Sequence, residues 1–171
     1  MSIPDPAIAE RLKSTSAALQ SVLGAIIDGE KRRAPTRSPL ELLREITTSA
    51  EWAWLQPLYA LIADIDQALA DTEPLPTSEV AAVGAHARSL LSGGTSSAER
   101  AFIDRYQPLI QADPAVAIAH SQALRTIRTL PPEAVGEAER LHAHHQWNER
   151  RVHLRTAGRT TLRRTRPNDS D

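Results

Sequence analysis

The chain has 171 residues, 41% of them hydrophobic, no cysteine and a net charge of −1. That length suffices for one domain burying roughly two thirds of its unfolded surface. Without cysteine, disulfides, thiolate nucleophiles, Cys-ligated zinc and iron–sulfur clusters are excluded, and the seven glycines form neither a G-x-G-x-x-G nor a G-x-x-x-x-G-K-[ST] phosphate loop.

The near-neutral total hides an asymmetry. Residues 1–149 carry 13 basic and 19 acidic side chains, whereas residues 150–171 carry seven Arg and two Asp. The first residues, MSIPDPAIAERLK, lack the basic start and apolar run of a signal peptide, and no apolar stretch reaches the roughly 20 residues that span a bilayer. The expectation is a cytoplasmic protein without a membrane span. Eighteen of the twenty basic residues are Arg, a bias expected of a GC-rich genome.

In chain order, Ile8, Leu12, Leu19, Val22, Leu23, Ile26 and Ile27 recur at three- and four-residue steps, which predicts a helix over about 6–30. Gly29 and the charged run after it are expected to end it, and Pro35 bars continuation. Ser38-Pro39-Leu40-Glu41 is a capping-box start for a helix over about 38–70, kinked by Pro57. Glu73-Pro74-Leu75-Pro76 reads as a linker. Thr77 or Ser78 can cap a third helix that stops at Gly93-Gly94, Ser96-Ser97-Ala98-Glu99 is a second capping box, and Asp113-Pro114 caps a fifth helix. Pro131-Pro132 opens a last helical stretch. Strand alternation and hairpin turns are missing, so the fold is predicted all-α, a bundle of five to six helices. Its domain is expected over 1–149, with 150–171 a basic, flexible tail. Gln-Pro-Leu occurs at 56–58 and 107–109, a recurrence short enough to be coincidence.

The segment SAEWAWLQPLYALI, residues 49–62, concentrates aromatics. At about 100° per residue, Leu55, Leu58, Ile62, Ile65 and Leu69 share one line, flanked by Trp54 on one side and by Trp52 and Tyr59 on the other. Trp52, Trp54 and Tyr59 are therefore expected to be core aromatics of a central helix. Glu51 falls on the same line, where a carboxylate needs a partner; Arg44, seven residues earlier, is the candidate. Together with Ser38-Pro39-Leu40-Glu41-Leu42-Leu43, the stretch Trp52-Ala53-Trp54-Leu55-Gln56-Pro57-Leu58 resembles a group of small uncharacterised bacterial proteins in which an S-P-x-x-L-L stretch leads into W-L-x-P-L. The resemblance covers about residues 8–130 and excludes the basic tail. It implies a helical bacterial protein and brings no activity with it.

Two stretches offer chemistry. Glu139-x-x-His142 has the spacing used in carboxylate-bridged di-iron bundles, and His145-x-x-x-Glu149 places two more ligands one turn apart. A complete site needs a second Glu-x-x-His and further glutamates, which the chain lacks unless Glu45, Glu51 and His120 contribute. Iron or manganese bound by Glu139, His142, His145 and Glu149 is thus the alternative to a polar, solvated helix without cofactor. The second stretch is Arg150, Arg151, Arg155, Arg159, Arg163, Arg164 and Arg166, a run suited to a phosphate backbone or anionic surface but without aromatics for base stacking. It can equally fold back on the acidic body.

His86 and His120 sit beside apolar stripes and read as hydrogen-bonded boundary residues. Asp64 and Asp66, two apart on a helix, read as a solvated face. No Gly-x-Ser-x-Gly elbow is present, and no catalytic residue is assigned. The leading expectation is a non-enzymatic interaction module with a protein partner or self-association, nucleic acid being the alternative through the tail. On this reading, cutting after Glu149 leaves the fold intact.

Overall fold

The computed structural model describes residues 6–33, 38, 41, 44, 45, 48–71, 73–94 and 96–164, with side chains as far as 156. Its elements are α1 (Pro6–Arg33), a 3-10 segment (Ala50–Leu55), α2 (Gln56–Ala70), α3 (Thr77–Ser92), α4 (Ser97–Ala112), α5 (Pro114–Ile127) and α6 (Glu137–Arg164). Helical backbone also occurs at 41, 44, 45 and 48, and no strand is found among the described residues. The chain is an all-α bundle.

α1 forms where the three- and four-residue apolar spacing lies. Leu12, Leu19, Val22, Leu23 and Ile26 are buried against α5 and α2. Two polar residues share that face: Thr15 donates to the Arg11 carbonyl at 2.9 Å and Ser16 donates to Asp66 of α2. The helix does not end at Gly29. It continues through Lys31, Arg32 and Arg33, cations that suit a helix C-terminus, and Gly29 is needed for a close approach instead. A Cβ there would lie 2.9 Å from Asp113 Oδ2, the carboxylate that caps α5 through Ala115 N and pairs with Arg32 at 2.6 Å.

The continuous kinked helix expected over 38–70 is absent. Its capping box forms, with Ser38 N donating to Glu41 and Glu41 N donating to Ser38 Oγ, but Ser49 is extended (φ −87°, ψ 138°) and starts the 3-10 segment by accepting from Glu51 N. Pro57 then falls in the first turn of α2, where a missing N–H breaks no helical bond, so it starts a helix rather than bending one. The other Gln-Pro-Leu lies near the end of α4 with Pro108 inside the helix. The two copies therefore occupy different structural contexts.

Breaking the helix at Ser49 changes which residues face inward. Trp52 is buried and Leu55 fully so, whereas Glu51 is exposed. The expected core carboxylate at 51 is not in the core. Trp54 and Tyr59 are half-buried rather than central; Trp54 starts an aromatic row in which its ring lies 5.8 Å from Phe102, Phe102 lies 4.9 Å from Tyr106 and Tyr106 lies 5.6 Å from His120. The central element is α3, which touches all five other helices. Val80, Ala82, Val83, Ala87, Leu90 and Leu91 are buried on it, and Gly84 lets Leu130 approach to 3.2 Å from where a Cβ would sit. α3 stops at Gly93 and Gly94, both with positive φ, as glycine allows. Ser96 and Glu99 form the capping box of α4.

Candidate functional site

α6 is a polar helix, and the way it docks creates the site. Of its described side chains only Ala143 and Trp147 are buried, Trp147 to 1% exposure. Leu154 packs half-buried against the core, and the rest of the described attachment is ionic. Arg150 Nε donates to Glu79 of α3 at 2.7 Å, with Asp71 at 3.6 Å and Glu73 at 3.9 Å from its Nη1. The next residue, Arg151, donates from Nε to Asp64 Oδ2 of α2 at 2.6 Å, and one turn on Arg155 grips the same carboxylate through Nε at 2.8 Å and Nη2 at 2.7 Å. Asp64 and Glu79 are 1% and 5% exposed. A carboxylate so far from water is retained only with charged partners and filled hydrogen bonds, and all the partners described for Glu79 and Asp64 come from α6. Hydrogen bonding to these carboxylates holds the Arg150 and Arg155 guanidiniums above the ordinary arginine range.

The boundary expected at 149/150 therefore falls inside one helix. Arg150, Arg151 and Arg155 are inter-helix anchors rather than part of a separate tail. The side chains of Arg159, Arg163 and Arg164 and the whole of Arg166 lie outside the described residues. Removing everything after Glu149 would strand Asp64 and Glu79, so the truncation expected to leave the fold intact removes the anchors of its last helix instead.

Between α6 and the rest of the bundle runs an open cleft of about 1010 Å³. One wall is apolar, built from Trp54, Pro57, Ala60, Ala85 and Ala101; Trp147, Asn148, Arg151 and Arg155 come from α6. The Arg151 guanidinium lies 5.9 Å from the centre of the Trp147 ring, within cation–π range. Two histidine–carboxylate pairs complete the lining. His86 Nε2 is 3.3 Å from Glu99 Oε1, while the other Glu99 oxygen accepts from Ser96 N in the capping box. His144 Nε2 is 2.6 Å from Glu133 Oε1.

Burial first, then the Arg151 charge, lowers the His86 pKa below the usual imidazole value, against the opposing pull of Glu99 and Asp64; His144 adds to the lowering. His120 is lowered by burial alone and sits 3.0 Å from the Tyr106 hydroxyl, whose pKa burial raises well above the ordinary phenol value. Both histidines lie half-buried at the boundary, His120 hydrogen-bonded to Tyr106 and His86 paired with Glu99.

The residues singled out for metal do not converge. Glu139, His142, His145 and Glu149 are all exposed. His145 and Glu149 pair with each other at 3.3 Å, and Glu139 and His142 line a separate pocket of about 360 Å³ beside Thr77, Ala81 and Pro132. Among the described residues no group of three or more His, Asp or Glu is placed to hold a metal ion, and Glu51 and His120 do not join them. No described helix is long and apolar enough to cross a membrane.

Asp64, Glu79, Glu99, Glu133 and Trp147 are the site residues that sequence reasoning missed. A signal existed for some of them. Ala143, Trp147 and Leu154 recur at four- and seven-residue steps in an otherwise polar helix, with Arg151 and Arg155 one turn apart beside them, the pattern of a helix that docks by a narrow apolar line and a charged one. Comparison of the chain with protein-family models, with curated proteins and with solved structures gives no match.

Proposed function

We propose that the protein is a non-enzymatic helical interaction module of the bacterial cytoplasm, and that the cleft beside α6 is its contact surface. The observation that carries this reading is the pairing of the charged groups in the cleft wall. Glu99 is engaged by His86 and the α4 capping box, Glu133 by His144, and Arg151 and Arg155 by Asp64. Such a wall is rigid and preorganised, which favours binding. A general acid or base must exchange its proton with a substrate during turnover, and carboxylates fixed in this way are poorly suited to that work. The volume and the mixture of apolar walls with a few placed polar groups are those of small-molecule sites.

The test is a thermal-shift screen of organic acids, amines, amino acids, nucleotides and neutral amides, run on the wild type and on Ala101→Trp. Ala101 is exposed on the cleft wall, so the indole obstructs the cleft without entering the core. The reading expects at least one class to raise the wild-type Tm, no shift in the variant, and recovery of the bound molecule unchanged. Equal shifts in both proteins, or multiple-turnover conversion of the ligand, would contradict it.

A further inference from the structure

The α2–α6 end of this cleft differs chemically from its other end. Near Glu99 and Glu133, each carboxylate has its own basic partner, and Glu99 also sits in the first turn of α4, where the helix dipole favours a negative charge. At the α6 end, two arginines share one acid. Each guanidinium has five N–H groups. Asp64 takes the Nε–H of Arg151 and the Nε–H and one Nη2–H of Arg155, and Asn148 accepts a long 3.4 Å contact from Arg151 Nη1. Among the described residues nothing else accepts from these two side chains, so more than half of their donors and one unit of positive charge are uncommitted. Both side chains line the cleft. Asp64, buried beneath, and the Trp147 ring hold Arg151 in place, so little ordering is needed when an anion arrives.

Building on the binding reading above, we infer that the cleft takes a small organic anion, its carboxylate or phosphate held by Arg151 and Arg155 and its apolar or aromatic body lying along Trp54, Pro57 and Ala85. A bare inorganic anion would use only the charged end and leave the apolar wall wet. The volume of about 1010 Å³ calls for a ligand with a body. Binding also has a protonic signature. The groups facing His86 are Glu99 from α4, Asp64 from α2, and Arg151 and His144 from α6. An anion beside Arg151 offsets the charge that disfavours imidazolium at His86, so the complex takes up a proton and tightens as pH falls toward the lowered pKa of His86.

The experiment is calorimetric titration of the full chain with five probes: phenylacetate, phenyl phosphate, phenylacetamide, phenethylamine and inorganic phosphate. They separate carboxylate from phosphoryl recognition and charge from shape. Phenylacetate or phenyl phosphate should bind at least about tenfold more tightly than the amide, the amine and inorganic phosphate, as charge-assisted hydrogen bonds require. Whichever of the two binds more tightly identifies the headgroup. Arg155→Gln should weaken that anion about tenfold or more and Arg155→Lys should restore part of the loss, while Ala101→Trp abolishes binding. In the bound state the His86 ring should titrate at higher pH by NMR.

Tight binding of the amide or amine that Ala101→Trp removes would overturn the anion assignment and leave the cleft as the contact surface. Anion binding unaffected by Ala101→Trp would overturn both. Anion binding that ignores Arg155→Gln, or no binding of either organic anion, would overturn the assignment.

Discussion

α1 and α6 are both 28 residues long and both lie against the body of the bundle, yet they are attached by different physics. α1 presents a buried residue on nearly every turn from Leu12 to Ile26, and its attachment is area removed from water, about 25 cal/mol per Å². α6 buries only Ala143 and Trp147 among its described side chains, with Leu154 half-buried beside them, and is held further by arginines on the carboxylates of Asp64 and Glu79. Apolar burial is non-directional and tolerates small shifts. Two guanidiniums on one carboxylate do not, and this sets where α6 lies against α2. The open cleft runs along this charge-docked helix.

The most severe way to break the comparison is to cut the chain after Glu149. Asp64 and Glu79 would lose Arg150, Arg151 and Arg155 together, and an unpaired buried charge is destabilising by about 3–5 kcal/mol for each pair broken. Loss of a cooperative thermal transition is the expected result. Trp147→Ala removes the one large apolar anchor of α6 and should lower stability by about 3–5 kcal/mol, measured by urea unfolding. The effect should match that of an interior leucine of α1 such as Leu19→Ala.

Asp64→Asn is expected to cost about 3 kcal/mol, the lower end for a buried pair, because Arg155 is 48% exposed and water compensates it in part. High salt should weaken the docking of α6 more than that of α1. pH has a smaller effect. The pKa values of His86 and His120 are lowered by burial in the folded chain, so the unfolded chain binds protons first. Their contribution is fully present above about pH 6.5 and is lost as pH falls below it toward the folded values. Tm should therefore decline from pH 7 to pH 5, and His86→Gln should flatten the slope.

Sequence periodicity reveals elements whose energetics are local or one-sided. The α1 stripe, the Ser38–Glu41 and Ser96–Glu99 boxes, the Asp113 cap and the Gly93-Gly94 stop each depend on residues within a few positions, and all are found in the structure. Asp64 shows where that fails. Read beside Asp66 it looks like a solvated face, because its burial depends on Arg151 and Arg155, 87 and 91 residues away. Glu51 fails in the opposite sense: its place on the apolar line assumed a continuous helix that the extended backbone at Ser49 interrupts. Trp147 was hidden by its polar neighbours. The cleft was illegible for the same reason, since its walls come from segments that no local pattern joins.

The most direct test of charge docking is amide hydrogen exchange of the wild type and Asp64→Asn, read separately over Pro6–Arg33 and Glu137–Arg164. If α6 is attached through Asp64, its amides should exchange about a hundredfold faster in the variant, the equivalent of about 3 kcal/mol, while α1 keeps its protection. Equal loss in both helices, or none in α6, would contradict the account.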